Sequence, residues 1–339
     1  MTLKIKIRRI FSALLAFSGI HFLLERICLS DRAFVLMYHR ILPSAENQAC
    51  YVQPGMFVTP VTFEQQVAYV KEHFEVVFLD DLIEKAQKGE YIGRHCALTF
   101  DDGWRDNYTA AFPVLERYGV PATIFLSTGF VGTTRTFWPE ELCYYLERID
   151  LGTFADINAP PSWDRFTGMI GKSQCRSREW FLDRSIETMK VFTLSDREEI
   201  LNYLRNMLGA QAIPRQMLNW DEIRKMGLSG LIRFGAHTVN HEILDQVPLR
   251  KARAEIIVSR NEIECHLGTK VTTFAYPNGN HNAGVRQLLA ENDFDVAVTT
   301  RKGLLGHALP SLEIPRIALH EDVSATIPML RSKILLHSF

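Results

Sequence analysis

"ALTFDDGW", residues 97–104, is the stretch on which the reading of this chain turns. The largely apolar run "HCALTF" (95–100) reads as a strand covered on both faces, the kind found in a parallel sheet. It stops at two adjacent carboxylates, Asp101 and Asp102, followed by a glycine. Like charges side by side at the end of a buried strand repel unless something cationic gives them different partners.

Outward from that strand the pattern alternates. "AFVLMYHRIL" (33–42) gives an earlier buried strand, Phe34 to Met37, with polar residues at its end. "TFEQQVAYVKEHF" is helical, since Phe63, Val67 and Val70 recur at helix spacing, and Thr62 is the expected N-cap. "EVVFLDDLIEKAQKG" reads as strand, Asp cap, helix and Gly stop. Downstream, "NYTAAFPVLERYG" is a helix closed by Gly119, and "PATIFLSTG" is a further strand. From Phe137 to Arg215 the alternation gives way to "WPEELCYYLERI", a Gly/Pro/Ser-bearing stretch and "DREEILNYLRNMLG", a helical insertion. It resumes with "LIRFGAH", "VTTFAYPNG", "FDVAVTT" and "IPRIALHED", separated by helices. The fold class is therefore α/β: a distorted (β/α) barrel of about seven strands, residues 31–339, with an insertion at about 137–215. In such a barrel the loops after the strands carry the chemistry.

Three polar clusters follow apolar strands: Asp101–Asp102, "HTVNH" with His237 and His241, and "AYPNG" from Tyr276 to Gly279. The two histidines are four apart, which on a helical turn would aim both imidazoles at one ion. Two imidazoles and a carboxylate with open positions fit a divalent metal, most often Zn2+. Taken singly, "DDG" is commonly a turn, H-x-x-x-H commonly a surface or packed pair, and "YPNG" a loop. Their joint placement at strand ends of one α/β chain is what carries weight.

With those motifs in view, the sequence resembles the polysaccharide deacetylases of carbohydrate esterase family four, the NodB-homology domain, over roughly residues 33–322. "TFDDG" matches the family's first motif, "HTVNH" its second and "FAYPNG" a variant of its third. The resemblance implies that Asp101 is the general base, that Asp102, His237 and His241 bind the metal, and that the backbone N–H of Tyr276 helps bind an oxyanion. It further implies hydrolysis of N-acetyl groups on a glycan, with release of acetate. Two positions depart from the pattern. Ala275 stands where many members have the arginine that orients the catalytic aspartate, and Arg316 of "IPRIAL" is expected to replace it. "FDVAVTT" lacks the tryptophan of the fourth motif. "VLMYH" resembles the strand of the general acid as placed in the circularly permuted branch that includes poly-N-acetylglucosamine deacetylases; His39 is then the acid, and His320 of "LHED" is its rival. Trp104, Trp138 and Trp220 are candidates to stack on sugar rings. An amidohydrolase for a small non-sugar amide and a catalytically weak carbohydrate-binding protein are the alternatives.

The bulk numbers are consistent with this and narrow it. The 339 residues, 47% hydrophobic and 23% charged, supply a large core. A net charge of −1 gives no footprint for nucleic acid. Cys28, Cys50, Cys96, Cys143, Cys175 and Cys265 form no C-x-x-C pair, so most of them read as small core residues, in a reducing compartment. The first thirty residues begin with Lys4, Lys6, Arg8 and Arg9 and turn apolar from Ile10 to Leu24. That stretch is shorter than the ~20 residues of a membrane span and lacks a clear cleavage site. It is expected to form an amphipathic helix packed on the domain, with peripheral membrane contact through residues 1–26 as the alternative. A cytoplasmic, membrane-associated enzyme follows, an exported one being the competing location. Oligomeric state is not encoded in any pattern here.

Overall fold

The architecture follows from seven short apolar runs that pair side by side. In the computed structural model, which describes residues 3–44, 50–149, 159–171, 177–208, 213–306 and 310–336, they form β1 (Phe34–Tyr38), β2 (His95–Phe100), β3 (Ala122–Leu126), β4 (Ile232–Ala236), β5 (Thr273–Ala275), β6 (Val296–Val298) and β7 (Ile317–Ala318). All are parallel, in the order β7-β1-β2-β3-β4-β5-β6, and the two-residue strand Glu75–Val76 adds to β2. Phe34 to Tyr38 lie in register with Cys96 to Phe100, and Ala122 to Leu126 with Ile232 to Ala236. The sheet curls until its edges meet through one parallel bridge, Val298 to Ile314, in the segment that enters β7. This is a distorted (β/α) barrel. Strands β1, β2 and β3 are buried at every position, so neither face could be polar.

Helices cover the sheet: α1 (Leu3–Phe17), α2 (Ile20–Cys28), α3 (Pro60–His73), α4 (Leu79–Gln87) and α5 (Phe112–Tyr118) come before the insertion. The insertion contributes α6 (Trp138–Leu146), α7 (Pro161–Ile170), α8 (Arg178–Met189) and α9 (Leu194–Leu208). After it come α10 (Trp220–Leu228), α11 (Leu249–Leu267), α12 (Ala283–Glu291), α13 (Glu321–Ser324) and α14 (Ile327–Leu335). The chain divides into two units, one of residues 1–43, 54–133 and 217–339, the other of 44–53 and 134–216. The second unit thus takes in residues 44–53 as well as the expected insertion. It has its own core, in which Trp163, Phe166, Leu182, Ile186 and Leu201 are buried together.

Several local readings change. The cap of α3 is Thr59, whose hydroxyl accepts from the Thr62 N–H, because Pro60 takes the first helical position where its missing donor is harmless. No aspartate caps α4: Asp80 and Asp81 sit in its first turn, after Phe78. A π-turn, Asn107–Ala111, precedes α5, and Gly119 ends that helix in the left-handed conformation (φ 59°). The single N-terminal helix expected from hydropathy is two, bent by 82° at Ser18–Gly19, where Gly19 adopts φ 74°. Among the cysteines, Cys96 and Cys143 are buried, Cys28 and Cys50 half-buried and Cys265 exposed. The exposed one departs from the core reading, and Cys175 lies outside the described residues.

Candidate active site

Each candidate side chain sits where a strand gives out. Asp101 and Asp102 follow β2, His39 follows β1, His237 follows β4, and Arg316 and His320 flank β7. The ladder runs one residue beyond the strands, with Asp101 N–H donating to the Tyr38 carbonyl and His237 N–H to that of Leu126. The backbone of the two key positions is therefore placed by the sheet rather than by a free loop.

The two aspartates part company at once. Asp101 receives a bidentate pair from Arg316, Nη1 to Oδ1 at 2.7 Å and Nη2 to Oδ2 at 2.6 Å. Arg316 is fully buried, and it also donates from Nε to the Thr299 carbonyl and from Nη1 to Thr99 Oγ1. Such a fork–fork pair fixes geometry as well as charge. Burial works against ionisation of Asp101, but the Arg316 guanidinium outweighs it and holds the carboxyl below its ordinary range. Asp102 turns the other way, its backbone in the left-handed region (φ 77°) with Gly103 beside it (φ 82°). Its Oδ2 accepts from Trp104 Nε1 at 2.9 Å. Its Oδ1 lies 3.4 Å from His237 Nε2 and 3.5 Å from His241 Nε2. Burial again opposes the charge, while His237 and His241 favour it and win.

These three residues offer ligand atoms all within 4.8 Å of one another. The donor set fits a divalent cation on its chemistry. His237 Nδ1 is 2.7 Å from the Ala275 carbonyl, a contact that makes Nδ1 a donor and turns Nε2 toward Asp102. Burial opposes a proton on this ring, but Asp102 and Asp101 outweigh it and hold His237 above its ordinary range, so a cation bound here would take the place of the Nε2 proton. Burial lowers His241 to about 4, so its imidazole is neutral near pH 7, the state in which it can ligate.

The reason the histidines converge differs from the one expected. Residues 237–243 form no helical turn; Thr238 (φ 66°) and His241 (φ 56°) both take left-handed conformations. The loop wraps a buried carboxylate instead: Glu255 of α11 accepts from the N–H groups of Val239 (2.9 Å) and Asn240 (2.8 Å) and from Asn240 Nδ2 (2.9 Å). Glu255 escapes a motif search because its partners are backbone amides, which no residue spacing advertises. Asp106 and Asn107 escape it too. Asp106 accepts from Ile41 N–H and Arg40 Nε, and Asn107 Nδ2 donates to the His39 carbonyl, so the segment bearing His39 is tied down from the π-turn after β2.

Two assignments need correction. The Tyr276 N–H donates to the Val298 carbonyl at 3.1 Å, and the Tyr276 hydroxyl to the Leu312 carbonyl at 2.9 Å. As part of the β5–β6 ladder, that amide has no freedom to meet an oxyanion. Of the tryptophans, Trp104 is closed off by burial under Arg40, while Trp138 and Trp220 are half-buried. Trp220 stacks on His266 at 3.9 Å, and Trp138 belongs to the second unit with Arg197 over its ring. His39 is half-buried and is among the charges acting on Asp101, Asp102 and His241. His320 caps α13, lowered to about 4 by burial and then by Lys333 and Arg8.

Glu255→Gln should weaken divalent-cation binding by about 10–100-fold, because an amide NH2 would face the loop's donors while the α11 packing stays intact. Isothermal titration with Zn2+, alongside a circular dichroism spectrum, checks this; unchanged affinity would mean that the loop holds its shape without the carboxylate.

Comparison with known proteins agrees with the geometry. The polysaccharide deacetylase family model matches residues 88–297, more than half of the chain. A poly-beta-1,6-N-acetyl-D-glucosamine N-deacetylase of Staphylococcus epidermidis is 28% identical over 179 residues, 51% of this chain and 59% of that protein. A Staphylococcus aureus protein of the same name is 34% identical over 76 residues, 22% of this chain and 26% of its own length. The chain thus spans well under two thirds of these curated relatives in the aligned region. Among solved structures, the Streptococcus pyogenes deacetylase PplD in complex with acetate superposes with a TM-score of 0.57 at 20% identity, covering 90% of this chain and 98% of that one. IcaB from Ammonifex degensii gives 0.56 at 20% identity, covering 90% and 97%. At such identities the structural likeness speaks to the fold. The sequence match takes in β2 with its paired aspartates, the loop of His237 and His241, and the strands between them: this chain belongs to the polysaccharide deacetylase family.

Proposed function

We propose that this protein is a metal-dependent N-deacetylase that hydrolyses the acetamido group of N-acetylhexosamine units, with a β-1,6-linked N-acetylglucosamine polymer or its precursor as substrate. One observation carries the reading: Asp101, locked onto Arg316, stands beside a separate Asp102–His237–His241 cluster. A proton acceptor and a cation site in adjacent residues are the two parts that metal-assisted hydrolysis of an amide uses. The names of the staphylococcal relatives support the choice of glycan.

Asp102, His237 and His241 would hold the ion, for which Zn2+ suits two imidazoles and a carboxylate best. When bound, it supplies a Lewis acid that acidifies water and polarises an amide carbonyl. Asp101, kept ionised by Arg316, accepts the proton of the attacking water. The tetrahedral oxyanion needs fixed donors. In the turn after β5, Pro277 has no N–H, and the amides of Gly279 and Asn280 donate to the carbonyls of Tyr276 and Pro277. By elimination the Asn278 amide, in a left-handed residue (φ 57°), is the donor assigned here. His39 gives a proton to the departing amine, since an amide anion is too basic to leave unassisted. His320 is the weaker candidate for this step: lowered to about 4, it is neutral near pH 7 and has no proton to give. Acetate and a free hexosamine amine result.

Asp101→Asn should cut acetate release from N-acetylated β-1,6-glucosamine oligomers by about 10²–10⁴-fold, with metal content by elemental analysis close to that of the parent. Activity retained within a few-fold would refute the base assignment, and activity on small non-sugar amides alone would refute the substrate class. His39→Ala should lower turnover to a similar degree at normal metal content, whereas His320→Ala should stay within a few-fold of the parent. The reverse pattern in the same assay would transfer the acid role to His320.

A further inference from the structure

The first two helices are inside out. On α1, Ile7, Ile10, Phe11, Leu14 and Phe17 recur at helix spacing, the stripe by which a surface helix ordinarily packs on its core. All five are exposed, Phe17 to 94%. On α2, Ile20, Phe22, Leu23 and Ile27 are exposed as well. The buried positions are the polar ones: Ser12, His21 and Glu25.

His21 and Glu25, both on α2, fasten the pair to the rest of the first unit. His21 Nε2 meets Ser332 Oγ at 2.9 Å. Glu25 takes a bidentate pair from Arg331 at 2.7 and 3.0 Å, and the Tyr69 hydroxyl donates to it at 2.8 Å. α1 and α2 both pack against α14. The outward face is thus held by directional bonds, and it combines a broad apolar surface with cations. Lys4, Lys6, Arg9 and Arg26 are exposed, and Glu25, the one acidic residue between positions 3 and 28, is spent on Arg331.

We infer that α1 and α2 form an interfacial anchor that lies on an anionic lipid surface. Apolar residues enter the acyl boundary and the basic side chains meet the headgroups, the composition such helices need. Lying flat is what the geometry favours over spanning. The 15 residues of α1 reach about 22 Å, short of the ~30 Å hydrocarbon core. The 82° bend at Gly19 stops α2 from extending that axis. A second copy would set rims of the same charge against each other, whereas phosphate headgroups neutralise them.

The anchor also touches the catalytic rim. α1 packs on α13, whose N-cap is His320, the residue that feels both Arg8 of α1 and His39. Lipid binding through this face would hold the end of β1 and β7 close to the bilayer, where a membrane-attached glycan could reach it; this last point rests on the function proposed above, while lipid binding itself does not.

The test is flotation of the purified full-length chain with vesicles of neutral phosphatidylcholine, with or without about 30% phosphatidylglycerol. The expected result is binding at least about tenfold stronger to the anionic vesicles, lost in about 0.5 M salt. Ile10→Gln/Leu14→Gln/Phe17→Gln should abolish it, and Lys4→Gln/Lys6→Gln/Arg9→Gln should remove the anionic preference, both with thermal melts and Zn2+ binding unchanged because the altered side chains are exposed. Equal binding to neutral vesicles, or no binding by a monomeric protein, overturns the inference. So does a concentration-dependent dimer in light scattering that the triple apolar variant dissolves, since the face would then serve a second copy. Resistance to both salt and alkaline carbonate overturns the flat arrangement in favour of insertion.

Discussion

Two carboxylates occupy consecutive positions at the end of a buried strand, and the site depends on keeping both ionised. Placing a charge in the interior costs several kcal/mol unless it is paired and hydrogen-bonded. Asp101 meets that cost with Arg316, whose guanidinium also donates to Thr99 Oγ1 and the Thr299 carbonyl. Asp102 meets it with the Trp104 indole and the two histidines. The left-handed backbone at Asp102 and Gly103 sends the neighbouring side chains to different partners. One acid is thereby committed to protein charge and the other to the histidine cluster proposed to hold an ion, the division of work that the proposed amide hydrolysis needs.

The supporting parts follow from that division. Arg316 enters from β7, 215 positions away from Asp101, because the curled sheet brings its last strand beside its first. The histidines come from the far side of β3, on a loop shaped by Glu255 rather than by helix geometry. Asp106 and Asn107, in the turn after β2, hold the His39 segment to the same strand end. Each functional group is therefore set by sheet register plus one polar tie, which is how loops of a barrel reach the precision that chemistry demands.

How much of this was legible in the sequence depends on what kind of information each feature uses. Strands β1 to β3 were readable because doubly buried strands are apolar runs. Asp102, His237 and His241 were readable as a set because all three follow such runs, although the histidines converge without the helical turn that their spacing suggests. Arg316 was found through the gap left by Ala275, a clue that came from resemblance and not from local pattern. Tyr276 went wrong because a backbone donor's fate is decided by its ladder neighbour, and β6 claims it through Val298. Glu255 was invisible for the same reason in reverse, since its partners are amides. The break at Gly19 was missed because hydropathy counts apolar residues and is blind to the left-handed turn between them.

The most direct measurement of the central claim is an anomalous-scattering crystal structure of the zinc-loaded protein. The expected result is one ion held by an Asp102 oxygen and the Nε2 atoms of His237 and His241, with both Asp101 oxygens still on the Arg316 guanidinium. Anomalous density on an Asp101 oxygen, or an ion elsewhere with these three side chains unengaged, would contradict it.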